Sequence, residues 1–141
     1  MKKEGDLNPI DYRNLAEFRR QIRRFLWFSE GVARENGIEP RQHQALLALR
    51  GLPDDVAPTV GEIASRLFIQ HHSAVELINR LAAAGFVTRT PAERDKREVW
   101  IRLTPSGTAL LRRLSVTHRL ELERSGPELA KALRAVIRKR D

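Results

Sequence analysis

The chain has 141 residues, with 26 Lys plus Arg against 18 Asp plus Glu, and no Cys. One compact domain of this length can bury a core without staples, and the missing thiols exclude a disulfide framework, a thiolate zinc site, an iron–sulfur cluster and a thiol-based redox sensor. A formal charge of +8 favours a polyanionic partner, and no apolar stretch approaches the ~18 residues of a membrane span, which predicts a cytoplasmic protein. Residues 1–59 carry 10 basic against 9 acidic side chains, residues 60–104 carry 7 against 5, and residues 105–141 carry 9 against 4. The excess is mostly C-terminal, so any nucleic-acid contact through the middle must rest on a few placed side chains.

The first helix opens at Asn8-Pro9-Ile10-Asp11, where Asn8 is an N-cap, Pro9 the first helical residue and Asp11 an acid near the positive dipole end. Leu15, Phe18, Ile22, Phe25, Leu26 and Val32 keep helical spacing until Asn36-Gly37. Phe25-Leu26-Trp27-Phe28 cannot share one face at about 100° per residue. A helix apolar on several sides needs cover on several sides, and a partner chain is the natural cover.

Pro40 begins a second helix that ends near Gly51, and Leu52 to Pro58 form a turn-rich stretch. Thr59-Val60-Gly61-Glu62 is a capping box, with the Thr hydroxyl and the Glu side chain each expected to satisfy a backbone N–H. It starts a short helix, Val60 to Leu67, with Ile63, Ala64 and Leu67 inward. After a tight turn at Phe68-Ile69, another helix runs from about Gln70 to Ala84 and buries Ala74, Leu77, Ile78 and Leu81. Phe86–Thr90 and Glu98–Leu103 are β-prone runs around a charged turn, which predicts a two-stranded ribbon with a basic tip. Thr104-Pro105 caps a long helix, Ser125-Gly126-Pro127 is expected to break it, and Leu129, Ala132, Leu133, Val136 and Ile137 define a final helix.

Two short helices, a tight turn and a ribbon make a helix-turn-helix followed by a wing, which lays its second helix in the major groove while the ribbon grips the flanking duplex. Thr59-Val60-Gly61-Glu62-Ile63-Ala64, Asn79-Arg80-Leu81 followed by Gly85-Phe86-Val87-Thr88-Arg89, Asp95-Lys96-Arg97-Glu98-Val99 and Leu103-Thr104-Pro105-Ser106-Gly107 stand in the order and spacing of one family. Over residues 10–140 the chain resembles the MarR family of transcriptional regulators. The fold class is mainly α with a small β-wing. The resemblance implies one domain, 1–141, with dimerisation helices over about 9–36 and 105–140 and a winged lobe over about 40–104. It also implies a homodimeric repressor on a pseudo-palindromic double-stranded DNA operator, and a crevice for a small aromatic or phenolic effector that changes the roughly 34 Å separation of the two recognition helices.

On the recognition helix, His72, Glu76, Asn79 and Ala83 fall opposite the buried set, with Ser73 and Arg80 on one edge and Val75 on the other. Gln70, His71, His72, Ser73 and Glu76 occupy the half that meets base edges. Gln70 suits adenine, Glu76 suits cytosine N4 and Val75 suits a thymine methyl. An anion near phosphates needs a partner, and Arg80 at i+4 from Glu76 is the expected one. In the wing, Asp95 and Arg97 match the family's Asp-x-Arg motif, in which the acid orients a guanidinium entering the minor groove. Arg94 and Lys96 are expected on phosphate. Arg23, Trp27 and His43 are the candidate effector-binding residues, with dimer core the competing reading for Trp27.

No metal and no cofactor are assigned. His71 and His72 diverge on a helix, His72 and Glu76 lie on the DNA face, and His43 and His118 fit structural roles. A second class is a winged-helix module that binds protein without DNA, and it usually lacks a basic wing tip. An enzyme is excluded by the absence of a Gly-rich phosphate loop, a nucleophile elbow and a suitable acid pair.

Overall fold

A computed structural model describes residues 5–92 and 95–138. It contains α1 (Pro9–Glu35), α2 (Pro40–Arg50), α3 (Val60–Leu67), α4 (His71–Ala83), β1 (Val87–Pro91), β2 (Val99–Leu103) and α5 (Pro105–Ile137). These fall into two compact units, one made by the described residues up to Gly31 with those from Val116 onward, the other by Val32–Ser115. No helix among the described residues is long and apolar enough to cross a membrane.

In the first unit, α1 starts as the sequence predicts. Asn8 Oδ1 accepts from the Asp11 N–H at 3.0 Å, and Asp11 Oδ2 accepts from the Asn8 N–H at 2.8 Å. The His118 ring meets Phe25 and Phe28 edge-on, and its Nε2 lies 2.8 Å from Ser29 Oγ. The Gln21 side-chain amide, then Arg20, hold the Glu17 carboxyl below its ordinary value, and Arg124 does the same to Glu121. Leu15, Leu26, Trp27, Leu120, Leu133 and Ile137 remain exposed on this unit.

The expected break at Ser125-Gly126-Pro127 does not occur, because α5 runs unbroken to Ile137 with Pro127 inside it. Proline removes one backbone donor and crowds the preceding turn, a cost of about 3 kcal/mol in a helix interior. Contacts of the segment beyond it offset that cost. Glu128 pairs with Arg24 at 3.7 Å, Ala132 is buried, and the Ala135 carbonyl accepts from the Asn14 side chain at 3.4 Å. We expect Pro127→Ala, at an exposed site, to raise the stability of the chain by about 1–3 kcal/mol. Urea unfolding followed by circular dichroism checks it.

The second unit packs α2, α3, α4, the ribbon and the first turns of α5 around Leu46, Ile63, Ile78, Leu81, Ile101, Leu110 and Leu114. Three of its turns use the same chain reversal, in which two successive N–H groups bond back to the last helical carbonyls. Gly37 (φ 80°) closes α1 this way, with Ile38 N–H to Ala33 O, and Gly85 (φ 82°) closes α4, with Phe86 N–H to Leu81 O. At the end of α3 the left-handed position is held by Phe68 (φ 55°), and Ile69 N–H reaches Ala64 O. A β-carbon in that conformation costs on the order of 1 kcal/mol, and the Phe68 ring, 95% exposed, recovers nothing by burial. Phe68→Gly is therefore expected to stabilise the lobe by about 1 kcal/mol, measured as a higher urea midpoint with an unchanged slope.

Candidate nucleic-acid interface

The supports of the recognition helix come first. The Thr59 hydroxyl accepts from the Glu62 N–H at 3.1 Å and starts α3 as expected. The reciprocal half of the box is absent: the Glu62 carboxylate takes Arg66 Nε at 2.9 Å, and the Thr59 N–H goes to the Ala57 carbonyl. A charged partner one turn on the same helix outcompetes a neutral backbone donor.

Gln70 is the N-cap of α4 but makes no side-chain capping bond. Its amide is thus left outside the helix that follows. Along α4, Ala74, Leu77, Ile78 and Leu81 are buried as predicted, while His71, His72, Glu76, Asn79 and Arg80 are exposed and Ser73 and Val75 are half-buried. The expected Glu76–Arg80 pair is not formed. Two exposed side chains gain little from such a pair against the entropy of holding it, and neither has an ion-pair partner among the described residues.

The ribbon is antiparallel, with Val87 opposite Leu103, Arg89 opposite Ile101 and Pro91 opposite Val99. Pairs directly opposite share a face, so the buried Val87 and Ile101 carry Arg89 with them toward α4. There the Arg89 Nη2 donates to the Asn79 Oδ1. Sequence reasoning missed Arg89 as a site residue, because the period-2 pattern assigns it a face without saying which helix lies beneath. On the other face the Arg102 guanidinium lies 5.3 Å above the Trp100 ring. The Ile101 N–H donates to the Pro58 carbonyl at 2.8 Å and pins β2 to the loop before α3.

At the wing tip, Asp95 Oδ1 accepts from the Arg97 backbone N–H at 3.0 Å and Asp95 O accepts from the Glu98 N–H. The acid thus fixes the Arg97 backbone, where the motif led us to expect it on the guanidinium. The short Asp side chain reaches an amide two residues on more readily than the end of a long exposed one. Ala92, within the run predicted as a charged turn, is buried and its N–H donates to the Glu98 carbonyl, anchoring the tip. Lys96 and Arg97 are exposed. Arg94 lies outside the described residues.

Of the candidate effector residues, Arg23 and Trp27 are exposed one turn apart on α1, and His43 is buried within the lobe. Among the described residues, no three His, Cys, Asp or Glu side chains converge as a metal site would require.

A helix-turn-helix whose second helix turns a polar face outward beside a basic ribbon defines a winged helix-turn-helix protein. Within that class, residues 36–98 match the sequence profile of the MarR family. It is 38% identical over 74 residues to the HTH-type transcriptional regulator PecS of Dickeya dadantii, a match covering 52% of this chain and 43% of that protein. The fold is that of solved MarR-family structures. Apo MarR from E. coli superposes with a TM-score of 0.62 at 24% identity, covering 89% of this chain and 86% of that one. CouR from Rhodococcus jostii RHA1, solved with p-coumaroyl-CoA, gives 0.66 at 17% identity, covering 87% and 91%.

Proposed function

We propose that this chain is a sequence-specific, double-stranded DNA-binding transcriptional repressor that acts as a homodimer on a pseudo-palindromic operator and is released by a small aromatic or phenolic ligand. The observation that carries the reading is the outer face of α4. The side chains of Gln70, His71, His72, Glu76 and Arg80 stand there without hydrogen-bond or ion-pair partners among the described residues, beside the exposed cations Lys96 and Arg97. Unpaired donors and acceptors on a helix sized for the major groove, with a basic ribbon alongside, are what direct readout requires.

The dimer is supported by the exposed apolar side chains of α1 and α5, Trp27 (79% exposed) foremost. Large apolar side chains left exposed along two helices favour a second copy over water. The effector is proposed from the family resemblance and from the p-coumaroyl-CoA bound to CouR.

Selection of duplexes from a random pool, followed by fluorescence anisotropy, tests the reading. We expect an inverted repeat with half-sites about one helical turn apart. The logarithm of the binding constant should fall by about 0.9 per neutralised phosphate for each decade of salt. Failure to bind any duplex in low salt overturns it.

A further inference from the structure

Resting on the DNA-binding reading, we infer that Arg89 sets base specificity through Asn79: by taking the amide oxygen it turns the Asn79 NH2 outward, so this position of α4 reads a base-edge acceptor and favours guanine or thymine over adenine. The chemistry leaves one orientation. A guanidinium has five N–H donors and no acceptor, so only the oxygen of a neighbouring amide can face it. Arg89 Nη2 donates to Asn79 Oδ1, and neither side chain has another hydrogen-bond or ion-pair partner among the described residues. Flipping the amide would set two donors against each other.

The orientation decides what Asn79 can recognise. An Asn–adenine pair needs the amide oxygen to accept from N6 while the NH2 donates to N7, both in the plane of the base. With its oxygen drawn toward the ribbon by a charge-assisted bond, stronger than a neutral amide–base bond, Asn79 turns its donors toward the groove and its acceptor away from it. Guanine offers two acceptors there, O6 and N7, and thymine offers O4, whereas adenine offers N7 alone beside an N6 donor that an outward NH2 cannot satisfy. Asn79 is placed to use them, since it is exposed on the same face of α4 as His72, Glu76 and Ala83. Arg89 reaches it because register with Ile101 puts it on the ribbon face that packs toward α4. It acts as a positioning residue, and its guanidinium need not touch DNA.

Operator selection with four variants tests this, with folding confirmed by circular dichroism. Asn79→Ala should relax the preference at one position per half-site and so locate the contact. There the wild-type chain should select guanine or thymine. Arg89→Met, which keeps the stem but loses the donor, should admit adenine with a shift in relative preference of about tenfold or more. Arg89→Lys, which keeps a charged donor, should retain the original preference. Asn79→Asp keeps the oxygen toward Arg89 but loses the NH2, so it should abolish the guanine or thymine preference.

A merely structural Arg89 would lower affinity for all sequences alike. An unaltered base preference in Arg89→Met, adenine selected by the wild-type chain, no position relaxed by Asn79→Ala, or guanine or thymine retained by Asn79→Asp each overturns the inference while leaving DNA binding intact. A wild-type chain that recovers no duplex takes the DNA-binding reading down with it.

Discussion

Gly107→Ala is expected to destabilise the winged lobe by on the order of 3 kcal/mol, although alanine is the better helix former by about 1 kcal/mol. Gly107 sits in the first turn of α5, where its N–H donates to the Thr104 hydroxyl at 3.0 Å. That hydroxyl in turn donates to the Gly85 carbonyl at 2.6 Å, and the Thr104 N–H bonds to the Phe86 carbonyl at 3.0 Å. The start of α5 is thereby drawn onto the backbone that leads into β1. A β-carbon at Gly107 would lie 2.1 Å from the Phe86 carbonyl oxygen and 3.0 Å from its carbon. Backbone cannot swing aside as a side-chain tip can, so either the Thr104 bonds break or β1 shifts. Gly126→Ala, on the same helix with nothing within 4 Å of its added carbon, should instead stabilise by up to about 1 kcal/mol. Thermal unfolding should separate the pair by more than 10 °C, roughly. Equal midpoints would show that the close approach at Phe86 does not constrain the lobe.

Gly107 also illustrates how far the sequence could be read. Leu103-Thr104-Pro105-Ser106-Gly107 was recognisable as a cap and as part of a family pattern, and both are local in origin. The need for glycine arises from a backbone segment some twenty residues earlier, which no periodicity records. The same division holds elsewhere. α1, α3 and α4 were legible because their caps and apolar spacing lie within a few residues, and the buried face of α4 followed from the 3.6-residue period. The run of α5 through Pro127 was not, because its support from Arg24 and Asn14 comes from the other end of the chain. In the site, the exposed face of α4 and the basic tip were legible as positions. Their partners were not: Glu62 chose Arg66 over the cap, Glu76 took no partner in Arg80, and Asp95 took the Arg97 amide. A charge pattern states which groups could meet, and the choice among them is made by geometry and by the entropy of holding exposed side chains.

That last choice fixes the expected behaviour of the wing. Arg97→Ala should weaken operator binding by about ten- to a hundredfold and lower the salt slope by roughly 0.9, as loss of one desolvated cation in a narrow minor groove would do. The tip is built to deliver that side chain. Ala92 is buried and bonded to the Glu98 carbonyl, Asp95 O holds the Glu98 N–H, and Asp95 Oδ1 holds the Arg97 N–H. The backbone is set while the guanidinium stays exposed, so little ordering remains to oppose insertion. This geometry separates two roles for the acid. If Asp95 acts by accepting from the Arg97 amide, Asp95→Asn retains the same Oδ1 acceptor and should bind within a few-fold of the wild-type chain. Asp95→Ala, which removes the acceptor, should lose more at an unchanged salt slope. If the acid acted through its charge on the guanidinium, Asn would fail nearly as badly as Ala. Anisotropy titrations of the three variants at two or more salt concentrations distinguish these outcomes, and an Arg97→Ala chain that binds its operator as tightly as the wild type would remove the wing from the interface.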